Sequence, residues 1–129
     1  MSNLNTVLVA MKDRLKVIPN VATCKIGLEA NRTPADYPLI RLVPMSIKNG
    51  TASAWRTAEV NIYFGLPLVE GDVTIDQITA DLIDMEQTII DATKEGDSYK
   101  STYIRTLFSD SQVEHYKIMA IQLEVSWMQ

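Results

Sequence analysis

The 129-residue chain has one cysteine, one histidine, five glycines and five prolines. None of its apolar runs approaches the roughly 18 residues a membrane helix needs. Each scarcity excludes something. Cys24 alone cannot form an intramolecular disulfide, which rules out a disulfide scaffold and predicts a reducing compartment. His115 stands beside Glu114 after the polar turn SDSQ, where an exposed turn histidine is expected. Nucleophilic catalysis needs a base within reach of its nucleophile and a third group to orient it, and nothing local activates Cys24 as a thiolate. GxGxxG, GxxxxGK and CxxC are all missing, which removes phosphate-cradle and zinc-ribbon readings. No enzyme activity, cofactor or metal is expected. The opening MSNLNTVLVAMKDR has no basic region ahead of an apolar run, so cytoplasmic localisation is expected. Two glycosylation sequons, at Asn31 and Asn49, are read as coincidence in that setting.

What is present is an ordinary globular composition, 47% hydrophobic and 22% charged, long enough for one domain spanning 1–129 with a single core. The net charge of −4 is unevenly spread. Residues 70–97 hold nine acids against one base, Lys94, a net of −8; seven acids and eleven bases elsewhere give +4. A molecule divided in this way can associate by matching opposite faces, because complementary potentials steer encounter and fix register. The plainer reading of the acidic stretch is a solvated helix face.

Residues 3–18 set Leu4, Val7, Leu8, Met11, Leu15 and Ile18 at spacings of three and four, one helical face, with Ser2 or Asn3 as N-cap and Pro19-Asn20 as the stop. Alternation over 22–28 predicts a strand with Ala22, Cys24, Ile26 and Leu28 inward. LIRLVPMSI, 39–47, reads as a strand in which Pro44 demands an edge or a bulge. Asn49-Gly50 signals a hairpin, and the chain returns from Trp55 as a long strand with Ala58, Val60, Ile62, Phe64, Leu66 and Leu68 on one face. Thr74 and Gln77 form a capping box for a second helix carrying Ile75, Ile78, Leu82, Met85 and Ile89, ended by Gly96. YKSTYIRTLFSD predicts a strand, and Met119, Ile121, Leu123, Val125 and Trp127 alternate along the last one. The expected fold is α+β, an antiparallel sheet of four to five strands with two helices packed on one face.

Arg41, Lys48, Arg56 and Arg105 with Trp55 and Tyr103 form a candidate basic and aromatic patch. With a pI near 4.9, a contact between subunits suits it better than nucleic acid, and Trp55 is the best anchor. Asp76, Asp81, Asp84 and Asp91 are the candidate acidic surface of the second helix.

The order of elements, with DYPLIRLVP, WRTAEVNIYFGLPL, one acidic helix and a closing YKIMAIQLEVSW, resembles the tail terminator or tail completion proteins of long-tailed bacteriophages over about residues 4–128. The resemblance implies a non-enzymatic ring, typically a hexamer. Such a ring caps the tail tube, ends its polymerisation, meets the head connector and lets DNA pass without specific binding, in the cytoplasm during assembly and then in the virion tail. The aspartates named above would line the channel and repel the DNA backbone. Other phage neck or tail components, and a small ligand-binding or regulatory α+β module, are the alternatives.

Overall fold

Helix α1 (Leu4–Leu15) begins at Asn3, whose backbone is extended and whose side-chain Oδ1 accepts the Thr6 N–H at 2.9 Å, so the N-cap is Asn3. It buries Val7, Leu8, Met11 and Leu15, the predicted stripe. Past its end Asn20 takes a left-handed conformation (φ 69), which an asparagine tolerates better than most residues. The computed structural model describes residues 3–27, 38–49, 54–67, 75–94, 96, 99–108 and 116–128. Leu28, Leu68, Thr74 and His115 lie outside them, and with them the predicted capping box and histidine position.

Five strands follow in one sheet of spatial order β1-β2-β3-β5-β4: β1 (Thr23–Ile26), β2 (Leu39–Asn49), β3 (Trp55–Pro67), β4 (Lys100–Phe108) and β5 (Tyr116–Met128). Helix α2 (Ile75–Thr93) lies between β3 and β4 in the chain. The fold is α+β with a mostly antiparallel sheet. One pairing departs from expectation: β1 runs parallel to β2, Thr23 beside Leu39 through Ile26 beside Leu42. The expected inward alternation of β1 also fails. Ala22 and Ile26 are exposed and Cys24 is half-buried, because a four-residue strand at the sheet margin has little to pack against. Gly27, at φ 91, turns the chain away while its N–H donates to the Leu42 carbonyl at 2.8 Å.

Alternation decides the two faces of the sheet. Ile40, Leu42, Ala58, Val60, Ile62, Phe64, Met119, Ile121, Leu123, Val125 and Trp127 share the helix-side face and are buried with the apolar stripes of α1 and α2. α1 sits over β1 and β2, and α2 over β3. The opposite face is largely polar, with Thr57, Glu59, Asn61, Gln122, Glu124 and Ser126 in cross-strand rows. Thr57 and Ser126 hydroxyls lie 3.3 Å apart there.

Pro44 meets both sequence conditions. The Pro38 and Leu42 carbonyls face β1, so Pro44, two positions beyond Leu42, also turns its backbone nitrogen away from β3 and removes no bond from that ladder. The register then shifts between Pro44 and Ser46, a bulge. Lys48 pairs with Thr57 and Asn49 with Arg56, so Asn49 is a strand residue and not the centre of a two-residue turn, which would have set Lys48 opposite Thr51. α2 ends near Gly96, whose N–H donates to the Tyr99 carbonyl at 3.2 Å, and the Lys94 carbonyl accepts from Ser101 N–H at 3.2 Å. These bonds tie the helix layer to the start of β4.

Candidate interaction surfaces

The basic and aromatic residues expected to form one patch are divided by the sheet. Trp55 opens β3 on the polar face, opposite Met128, with Lys100 Nζ 5.6 Å above its ring centroid. Arg105 also lies on that face, opposite Gln122, to whose Oε1 its Nε–H donates. Arg56 and Tyr103 occupy the helix-side face, opposite Trp127 and Leu123. Arg56 is half-buried, and its Nε, like the indole N–H of Trp127, has no hydrogen-bond partner among the described residues. The Tyr103 hydroxyl is 2.7 Å from Thr106 Oγ1. Arg41 is fully buried in β2 beside Lys25 of β1, so it takes no part in an exposed patch. The first four residues of β2 are buried and the last six exposed, and the buried four are the ones paired with β1.

Asp81, Asp84 and Asp91 are exposed along α2; Asp76 belongs to the helix, and its side chain lies outside the described residues. Asp81 accepts from Gln77 Nε2 at 2.8 Å, and Asp91 from Gln87 Nε2 at 3.1 Å. Asp81 and Asp84 share one wall of a cleft of about 330 Å³ with Met85 and Thr88; Ile18, Val21, Pro38 and Leu66 supply the apolar remainder. Among the described residues, no group of three or more histidine, cysteine or acidic side chains could hold a metal ion. Cys24 Sγ lies 3.9 Å from the Lys12 carbonyl oxygen. Burial pushes its thiol pKa up, opposed by the positive charges of Lys12, Arg41 and Lys16, which leaves it a poor nucleophile.

Of the apolar side chains exposed on the outer strand of the sheet, only Tyr103 was among the sequence candidates. Among the described residues β4 is the outer strand, paired only with β5, and it exposes Tyr103, Ile104, Leu107 and Phe108. The register shift at Ile104 puts Tyr103 and Phe108 on the helix-side face and Leu107 on the other. At the far side of the sheet, β2 beyond Val43 exposes Met45 and Ile47. A warning was present in TYIRTLF, which has apolar residues on both parities where a strand with one buried face would alternate.

Compared with protein-family models and with curated proteins, the chain matches none. No helix among the described residues is long and apolar enough to cross a membrane.

Proposed function

We propose that this chain is a non-enzymatic phage or prophage structural protein of the tail terminator or completion type, which closes into a ring on the tail tube, ends its polymerisation and joins it to the head connector. The observation that carries self-association is β4: a nine-residue outer strand with exposed apolar side chains and, among the described residues, no strand on its outer edge. Natural sheets blunt or cover such an edge, and an assembling protein covers it with a partner. A surface on one margin of the sheet that meets a different surface on a neighbour makes a heterologous contact, and repetition of that contact closes a ring when the rotation from copy to copy closes. The exposed Asp81, Asp84 and Asp91 suit a channel that DNA traverses without adhering.

Light scattering over a range of concentration and salt tests the reading. A discrete species near six protomer masses of 14.5 kDa, with a central hole in negative stain, supports it. A protomer or dimer at every concentration removes it. The cleft of about 330 Å³ favours a second reading, a small ligand-binding or regulatory module, for which a ligand-dependent rise in melting temperature is the test.

A further inference from the structure

The apolar side chains left exposed on the sheet fall into two groups at opposite margins. The first is a shelf. Asp81, Asp84 and Thr88 turn α2 toward the end of α1, so helical spacing sets Thr79, Ile83, Glu86 and Ile90 on the other flank, toward β5 and β4. Ile83 is 48% exposed there. Beyond it, β4 presents Tyr103 and Phe108 on the same side of the sheet, with Ile104 at the bulge, and neither helix covers them. The second is an arm. From Pro44 to Asn49, β2 has lost the cover of β1 and exposes every residue, Met45 at 54% and Ile47 at 48% among them.

We propose that the arm of one copy, residues 44–49, lies on the shelf of the next, with Met45 and Ile47 against Ile83, Tyr103 and Phe108. Charge favours this pairing in sign. The arm PMSIKN carries Lys48, 3.8 Å from Glu124 of its own chain, and no acid, while the helix bordering the shelf carries no base over residues 75–93 and sets Glu86 on the shelf flank. Strand pairing along the arm itself is blunted by Pro44 and the bulge after it, so the contact is made by side chains and not by a continued ladder. Arm and shelf are different patches at opposite margins, so the contact repeated from copy to copy is heterologous. The proposal rests on the ring reading above and names the surfaces that would close the ring.

Cross-linking and mass decide it on the full-length protein. In a Cys24→Ser background, Ile47→Cys and Phe108→Cys chains are mixed and treated with a short bis-maleimide. A cross-linked heterodimer is expected, and none from a mixture of Ile47→Cys with Val17→Cys, whose exposed side chain lies beyond α1. Ile47→Asp and Phe108→Asp are each expected to reduce the scattering mass about sixfold, to the protomer, and to keep the melting temperature of wild-type protein diluted to the protomer, since both residues are exposed. A ring that persists in both aspartate variants, or a wild-type ring without the heterodimer cross-link, overturns the arm contact and leaves the ring reading standing. Wild-type protein at protomer mass throughout overturns both.

Discussion

The two margins of the sheet face the same problem and solve it differently. At one, β2 is shielded over Leu39–Leu42 by the parallel β1, and beyond that by Pro44, which offers no N–H, and by a bulge. At the other, β4 has a bulge and two basic residues, Lys100 and Arg105, but exposes Tyr103, Ile104, Leu107 and Phe108. The backbone of the first margin is protected within the chain and that of the second is left open. An apolar outer strand without a cover layer among the described residues is a liability in a monomer and a contact in an assembly, so the difference locates where the assembly proposed above would make its contact.

The two phenylalanines of the chain sharpen the contrast most. Phe64 is 0% exposed at the centre of the core and Phe108 is 60% exposed on β4. Phe64→Ala is expected to destabilise the protomer by about 3–5 kcal/mol, and Phe108→Ala by no more than about 0.5 kcal/mol, read by urea unfolding at concentrations low enough to hold the protein dissociated. Equal losses would mean that β4 is packed within the chain and break the comparison.

The junction between the covered half and the open strand comes next. A Cβ on Gly96 would overlap the Tyr99 ring, and Tyr99 is itself buried, so the ring has little room to yield. Gly96→Ala is expected to cost about 1–3 kcal/mol in the same unfolding experiment. A neutral result would show that α2 and β4 move independently. On the covered side alone, Asn3→Ala removes the cap of α1 and is expected to cost about 1 kcal/mol, with Asn3→Asp restoring most of it. The smallest effect is the pH dependence. Burial raises the pKa of both Cys24 and Tyr99, against the positive charge of Arg14 in the case of the tyrosine. A raised folded-state pKa gives stability that is complete below the unfolded value and is lost as pH rises through the folded one. Melting temperature is therefore expected to decline on the alkaline side of the ordinary thiol and phenol pKa values, and Cys24→Ala is expected to flatten the earlier part of that decline.

Much of the layout was readable from spacing. The α1 stripe, the Pro44 bulge, the length of β3 and the inward set on β5 all depend on which face a residue occupies, and periodicity reports that directly. Arg41 shows where such reading stops. A basic residue in LIRLVP looks like a surface contact, and in the fold it is fully buried in the part of β2 that pairs with β1. Tyr103 and Arg105 looked like members of one patch, yet the bulge at Ile104 sends them to opposite faces. Among candidate contact residues, Trp55 and Tyr103 were visible as aromatics, whereas Met45, Ile83 and Phe108 were not singled out by the sequence.

By itself, the amino-acid order determined where the helices and strands form, which side of most of them is apolar, and that the acids gather on one helix, because these follow from local spacing and composition. Only the tertiary structure decided that β1 is parallel to β2, that β5 inserts between β3 and β4, and that β4 is left at the margin. Those outcomes depend on pairings between residues far apart in the chain. A strand's own pattern states which way its side chains point but not which neighbour it will meet, nor whether it will have one.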